Sequence, residues 1–148
     1  MFNSVRLSSA RSDGSAEALV IGVFSDKKLD AAARALDKAG VLSAALERKD
    51  ASGDLGKITE AFLGGSKGAK AGGGTQRVLI VGLGKAGEFK PGAMRAVAGA
   101  VGRRLAATKA TQVGVRLHSA LAGVKGVDVE MAGRCFGALG IAGVNVRA

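Results

Sequence analysis

A glycine-rich turn is the stretch of this sequence whose residue types could do chemistry. It reads Gly82-Leu83-Gly84-Lys85-Ala86-Gly87, a match to G-x-G-x-x-G, and it follows the aliphatic run Val78-Leu79-Ile80-Val81. A strand, a glycine turn and a helix in that order can hold a phosphate, because backbone N–H groups of the turn point at the anion. Gly82, Gly84, Lys85 and Gly87 are therefore a candidate anion-binding turn.

The surrounding residues argue against two familiar versions of such a turn. A dinucleotide-binding unit carries an acidic residue at the end of the next strand, about 20 residues further on. Here the next predicted strand ends in Arg116-Leu117-His118, without a carboxylate. The Gly-Lys-Ser/Thr of a nucleoside-triphosphate loop is absent as well. The favoured interpretation is structural: the glycines let the chain leave a central strand tightly.

The other reactive side chains form no pattern typical of a catalytic or metal site. The chain has one histidine, His118, and one cysteine, Cys135, whereas a zinc site needs several converging ligands. His118 is predicted at a strand end, and Cys135 inside a helix as a small core residue. Asp26, Asp30 and Asp37 are assigned to the solvated face of one helix. We predict no catalytic residue, no metal ligand and no cofactor in this domain.

The composition indicates one globular domain with a basic surface. The 148 residues include five Phe but no Trp or Tyr, so the core must be aliphatic. With 22 Lys+Arg against 12 Asp+Glu, the net charge is +10, which favours contact with nucleic acid but also serves solubility. A single cysteine fits a reducing compartment. No window is apolar enough for a signal peptide or a membrane span, so we predict a cytoplasmic protein without a membrane partner.

Apolar runs alternate with helical periodicity along the chain. Strands are predicted at residues 2–7, 19–24, 58–63, 78–81 and 113–117, and helices at 29–39, 41–46, 93–107 and 129–139. Residues 141–146 are either a last strand or a run-out of the chain. The Gly- and Lys-rich stretch 64–75 is predicted to be a flexible loop between neighbouring strands. This alternation favours an α/β sandwich of three layers, α/β/α, with a mixed, largely parallel sheet.

Some residues are assigned to the ends and faces of these elements. Ser25 or Asp26 is expected to cap the first helix, and Gly40 to close it. Glycines inside a helix destabilise it by about 1 kcal/mol relative to alanine. Gly99 and Gly102 in the long helix are therefore expected to lie close against the sheet, where a Cβ could not be accommodated.

A resemblance to a known family centres on the same glycine turn. The segment RVLIVGLG from Arg77 to Gly84, followed by Lys85 and Glu88-Phe89, resembles the leucyl aminopeptidase (cytosol aminopeptidase) family. In these enzymes a strand ending in V-G-L-G-K marks the N-terminal domain. The apolar strand at 19–24 and the segment Gly133-Arg134-Cys135-Phe136 are similar in order, so the resemblance covers nearly the whole chain.

The resemblance implies a macro-domain-like fold that precedes a catalytic domain. In the family, that second domain holds two divalent metal ions, zinc or manganese, and removes N-terminal residues from peptides, usually as a hexamer. Its signature N-T-D-A-E-G-R is absent here, so no catalytic or metal residue is carried over. The implied role for residues 1–148 is that of a single non-catalytic N-terminal domain. It would pack on its own catalytic domain, shape substrate access and support a homo-oligomer.

Two alternative functions stay open. Some members of the family are known as DNA-binding proteins, and the +10 charge keeps DNA as an alternative partner. The macro-like fold adds a nucleotide or ADP-ribose site at Gly82–Gly87, although no acidic residue is placed to hold an adenine or a ribose. After Phe136 the chain runs GALGIAGVNVRA in place of the aromatic-rich continuation of the family. That departure fits a divergent sequence, a domain boundary or a free-standing domain.

Overall fold

Five strands and four helices occur in the part of the chain that the structure, a computed structural model, describes: residues 18–37, 39–63, 76–108, 113–121 and 144–146. In chain order they are β1 (Ala18–Val23), α1 (Ala31–Leu36), α2 (Val41–Glu47), β2 (Ile58–Leu63), β3 (Gln76–Gly82), α3 (Ala93–Thr108), β4 (Val113–Val115), α4 (Leu117–Ala120) and β5 (Val144–Val146). Strands and helices alternate along the chain, which confirms the predicted α/β class.

The strands form one mixed sheet in the order β2-β3-β1-β4-β5. β1 lies at its centre and pairs in parallel with β3 and β4, and β4 pairs in parallel with β5. β2 is antiparallel to β3, with Ile58 opposite Val81 and Leu63 opposite Gln76. The predicted mixed, largely parallel sheet is therefore confirmed. The predicted loop at 64–75 lies outside the described residues; the strands on either side of it, β2 and β3, are neighbours in the sheet.

Helices cover both faces of the sheet. On one face, Leu19 of β1 belongs to an apolar cluster with Leu42 of α2. On the other face, Val20 belongs to a second cluster with Val101 of α3. Successive side chains of a strand point to opposite faces, so a strand between two helix layers needs an uninterrupted apolar run. The three-layer α/β/α sandwich is confirmed.

The first helix is shorter than its predicted range. Its N-cap is Asp30, whose carboxylate accepts a hydrogen bond from the N–H of Ala33 at 2.8 Å. A side-chain oxygen at this position satisfies one of the unpaired N–H groups of the first turn. The cap predicted at Ser25 or Asp26 is wrong, because a turn and an irregular segment separate β1 from α1.

Asp37 and Gly40 join α1 to α2. Because α1 ends at Leu36, Gly40 does not close it; with φ at 72°, Gly40 is the N-cap of α2. The Asp37 carboxylate accepts hydrogen bonds from the N–H groups of Leu42 at 2.8 Å and Ser43 at 3.0 Å. Partial burial raises the pKa of Asp37, but these bonds and one from the Ser43 hydroxyl lower it more, so the pKa lies below its usual value.

These contacts correct the prediction for the acidic residues. Asp30 and Asp37 do not lie on the solvated face of one helix, because each accepts hydrogen bonds from the backbone at a helix start. Asp26 precedes α1 and accepts from the N–H of Lys28 at 3.1 Å. The helical spacing of the three residues is therefore not a helix face: Asp30 and Asp37 bind backbone N–H groups at helix starts, and Asp26 binds one in the turn before α1.

The strand predicted at 113–117 ends early. β4 stops at Val115, and the chain turns at once into α4, where Leu117 is buried in the same cluster as α3. The predicted position of His118 at a strand end is therefore wrong, since it belongs to α4. Burial of Leu117 therefore favours a turn into α4 over continuation of the strand beyond Val115.

Some predictions fall on residues that the structure does not describe. The strand at 2–7, the helix at 129–139 and Cys135 lie outside the described residues. Val144–Val146 is described and is a strand, which settles the open alternative at 141–146. In the described ranges, no helix combines the length and the hydrophobicity that crossing a bilayer requires.

Candidate functional site

The glycine turn lies at the carboxyl ends of β1 and β3, which are parallel neighbours. Val23, the last residue of β1, pairs with Gly82, the last residue of β3. After β1 the chain enters the α1–α2 layer, and after β3 it enters the α3 layer on the opposite face. Parallel strands whose connections leave to opposite faces open a crevice between their ends, where α/β proteins bind ligands. We call this place the strand-end crevice.

In this protein the loop before β2 fills the strand-end crevice. The N–H of Gly82 donates to the carbonyl oxygen of Lys57 at 2.7 Å, and the N–H of Gly84 donates to that of Gly53 at 3.0 Å. Gly56 completes the contact by donating its N–H to the carbonyl oxygen of Gly82 at 3.0 Å. The end of β3 is thus fastened to the chain's own backbone.

The turn is fastened to the end of β1 as well. The N–H of Leu83 donates to the carbonyl oxygen of Val23 at 2.8 Å, and the N–H of Ser25 donates to that of Gly84 at 2.8 Å. Consecutive N–H groups, those of Gly82, Leu83 and Gly84, are therefore all donated to carbonyl oxygens of the protein. These are the groups that a phosphate-holding turn would direct at its ligand.

The second half of the turn is open to solvent. Lys85 and Gly87 are exposed, and the N–H of Glu88 donates to the carbonyl oxygen of Lys85 at 3.1 Å. The next helix, α3, begins only at Ala93, so its N-terminus does not directly follow the glycines. Anion binding by Gly82, Gly84, Lys85 and Gly87 stays a prediction, and any contribution of backbone N–H groups would come from the exposed half.

Gly82 is a point of very close backbone approach. A Cβ built there would lie 2.0 Å from the carbonyl oxygen of Asp54 and 2.6 Å from the carbonyl carbon of Gly53. At Gly99 the nearest atom to such a Cβ is a guanidinium nitrogen of Arg103, at 3.4 Å. The predicted close approach of Gly99 to the sheet is therefore wrong. A glycine is therefore required at position 82 in the strand-end crevice, whereas beside Gly99 lies only the end of a flexible side chain; the close approach of Gly102 stays a prediction.

Charged side chains converge at β2, an edge strand of the described sheet. The Glu60 carboxylate forms ion pairs with Arg77 of β3, at 2.9 Å, and with Arg104 of α3. The Arg77 guanidinium lies 5.1 Å from the ring centroid of Phe62, a distance at which a cation is attracted to an aromatic face. We call these four residues the Glu60 cluster. A carboxylate held between two guanidinium groups fastens three elements, β2, β3 and α3, together.

Spacing along the chain does not predict this cluster. Glu60 and Phe62 lie on one strand, and Arg77 is placed beside them by the antiparallel register, which sets Phe62 opposite Arg77 and Glu60 opposite Leu79. Alternate residues of paired strands share a face. The Glu60 cluster could therefore be predicted only from the register between β2 and β3.

Side chains that could bind a metal ion do not converge in the described part of the chain. No three His, Cys, Asp or Glu side chains there lie close enough together to hold a metal ion. The zinc or manganese ions implied by the family resemblance therefore do not fit the described residues. Such ions would need ligands from outside them.

The cytosol aminopeptidase family, N-terminal domain, matches residues 20–132 of the sequence. The chain belongs to this family. The match spans β1 through α4 and includes the V-G-L-G-K segment, so the resemblance inferred from those residues is confirmed.

Curated relatives carry the same family name. A probable cytosol aminopeptidase of Xanthomonas oryzae pv. oryzae is 43% identical over 82 residues, which cover 54% of this chain and 16% of the relative. Another, of Burkholderia thailandensis, is 37% identical over 102 residues, which cover 68% of this chain and 19% of the relative. The chain thus matches less than a fifth of the length of either relative.

Solved structures share the fold at low sequence identity. The macrodomain of Mycobacterium tuberculosis DarG superposes with a TM-score of 0.69 and 15% identity, covering 97% of this chain and 98% of that one. A mutant of tomato leucine aminopeptidase superposes with a TM-score of 0.67 and 17% identity, covering 98% of this chain and 32% of that one. These likenesses establish the macro-domain-like fold alone.

Proposed function

We propose that this chain is the non-catalytic N-terminal domain of a metal-dependent aminopeptidase, where it packs on the catalytic domain, supports the oligomer and shapes substrate access. The filled strand-end crevice supports this role. Backbone groups that would contact a ligand at that end of the sheet already contact the loop before β2. Two zinc or manganese ions would then belong to the catalytic domain. The protein would work in the cytoplasm, the compartment for which its relatives, the cytosol aminopeptidases, are named.

The purified chain is expected to hydrolyse no leucyl amide substrate above the buffer blank, with Mn²⁺ or Zn²⁺ added. The physical reason is that the described residues offer no converging metal ligands. A chromogenic leucyl anilide provides the measurement. A full-length cytosol aminopeptidase such as the Xanthomonas oryzae relative, assayed in parallel, shows that the conditions permit turnover.

Metal-dependent turnover by the 148-residue chain itself would contradict the proposal. The supporting role has its own readout in the full-length relative. Deletion of the region matched by this chain is expected to give a smaller oligomer by sedimentation than the intact relative. An unchanged oligomer and unchanged peptide hydrolysis after that deletion would leave the domain without the proposed role.

A DNA-binding function is a second candidate, supported by the surface of α3. Arg95, Arg103 and Arg104 are exposed there, and α3 contains no Asp or Glu. Anisotropy with a DNA duplex is expected to show affinity falling steeply with salt, by about 0.9 logarithmic units per contacted phosphate for each tenfold rise. Arg95→Ala with Arg103→Ala should reduce that slope, and Lys49→Ala, which removes an exposed charge elsewhere, should not. Binding that is undetectable at low salt, or insensitive to salt, would exclude this candidate.

A further inference from the structure

An open groove of about 460 Å³ lies on the α1–α2 side of the sheet. Leu29 and Leu46 line it from the protein side; they are 9% and 4% exposed and belong to the apolar cluster beneath these helices. Its volume falls within the range of about 300–1,000 Å³ that is usual for ligand sites. Such a floor can accept an aliphatic side chain from a bound partner.

The rim of the groove is basic. Lys27 and Lys28 come from the segment before α1, and Arg34 comes from α1 itself. Within the described residues, none of these three cations takes part in an ion pair. The neighbouring carboxylates of Asp26 and Asp30 accept hydrogen bonds from backbone N–H groups. Several cations that share one groove and form no ion pair with another described residue favour an anionic ligand. We call this the basic groove.

The backbone of Lys27 adds a second, independent observation. Lys27 has φ at 57°, and among the described residues it is the only non-glycine residue with a positive φ. Its N–H donates to the carbonyl oxygen of Phe24 at 2.9 Å and so closes a tight turn. The left-handed conformation costs an L-residue about 1–2 kcal/mol, which glycine would avoid. Non-glycine residues held in this way concentrate at ligand sites, and here the residue is a cation on the rim.

We propose that the basic groove binds an acidic peptide segment of a partner protein. Carboxylates of the peptide would contact the three cations, and an aliphatic side chain would rest on the two leucines. A peptide suits the groove better than nucleic acid, because the lining residues include no aromatic ring on which a base could stack. The hydroxyl of Ser43, also on the lining, donates to Asp37 at 2.7 Å, so the cations are the main donors to a ligand.

The test uses the 148-residue chain labelled with ¹⁵N and an acetylated, amidated peptide, Glu-Leu-Glu-Glu-Leu-Glu. Amide shifts in NMR spectra are expected to change at residues 27–34 and 43–47. Arg34→Glu and Lys28→Glu should each weaken binding about tenfold, because one reversed charge faces the peptide. Arg95→Glu makes the same charge change on α3, on the other face of the sheet, and should weaken binding by less than about twofold.

Three results would overturn the proposal. Equal binding of Gln-Leu-Gln-Gln-Leu-Gln, which keeps both leucines, would show that charge does not select the ligand. Equal weakening by Arg34→Glu and Arg95→Glu would show general attraction to a basic protein. Displacement of the peptide by a short DNA duplex that shifts the same amides would assign the groove to nucleic acid. Well-dispersed spectra of each variant establish that it is folded, and Lys28→Glu decides the matter if Arg34→Glu does not fold.

Discussion

Replacement of Gly82 by alanine is expected to destabilise the protein by about 3 kcal/mol, at the upper end of the usual cost of overpacking. The new methyl carbon would lie 2.0 Å from the carbonyl oxygen of Asp54 and 2.6 Å from the carbonyl carbon of Gly53. Backbone atoms cannot rotate away as a side chain can. The loop before β2 must therefore separate from the end of β3, which weakens the 2.7 Å hydrogen bond between Gly82 and Lys57. Thermal unfolding should show a Tm lower by about 10 °C.

Gly92→Ala is the matched control for that substitution. A Cβ at Gly92 would have nothing within 4 Å, and the residue is exposed just before α3. Its effect on the free energy of unfolding should stay within about 1 kcal/mol, and it can be favourable because alanine has fewer unfolded conformations. Urea denaturation compares the two variants directly. If both had the same midpoint, the strand-end crevice would not be closed by close backbone contact.

The central layer of this fold could be predicted because its physical signal is local. β1 and β3 are buried on both faces, so each must be a short run without polar interruption, and Leu19–Phe24 and Val78–Val81 show such runs in the sequence. The long helix after them was found from its length and composition. Burial on both faces restricts these positions to apolar residue types. The strands can therefore be predicted without knowledge of their distant contacts.

The ends of the short elements could not be predicted in the same way. Ser25, Asp26 and Asp30 are all residue types that cap helices, and the sequence does not say which one does. The structure selects Asp30, because a tight turn at Lys27 intervenes between β1 and α1. In β4 the alternation continues past the true end, and burial of Leu117 under α3 decides where the strand stops. In both places a tertiary contact determines which of several locally equivalent residues begins or ends the element.

The candidate site also depends on tertiary contacts that the sequence does not reveal. The sequence identifies the residues of the glycine turn but not the loop that fills the space beside them. The partner of Gly82 and Gly84 is the loop before β2, which reaches them through the antiparallel β2–β3 pairing. Considered without that pairing, the sequence leaves the N–H groups of the turn available to a ligand. The sequence therefore identifies the residues of the turn, and the tertiary pairing decides which of their N–H groups are open to a ligand.

Glu60→Ala is expected to lower the free energy of unfolding by about 2 kcal/mol, in line with the loss of charge-assisted hydrogen bonds. Glu60 is 17% exposed and holds Arg77, whose side chain is 32% exposed, at 2.9 Å. This pair should supply most of the effect. The pair with Arg104 should contribute less, because the Arg104 side chain is 53% exposed and solvent weakens such a contact. Urea unfolding at low salt provides the measurement.

Glu88→Ala makes the same truncation at an exposed position with no ion pair among the described residues. It should change stability by less than about 0.5 kcal/mol. At 1 M salt the difference between the two variants should shrink, because screening weakens the exposed part of the Glu60 cluster first. Equal stability of the two variants at low salt would contradict the role given to the cluster. Since β2 is an edge strand in the described sheet, loss of Glu60 should also speed amide exchange at Phe62 and Leu63 before it affects β1.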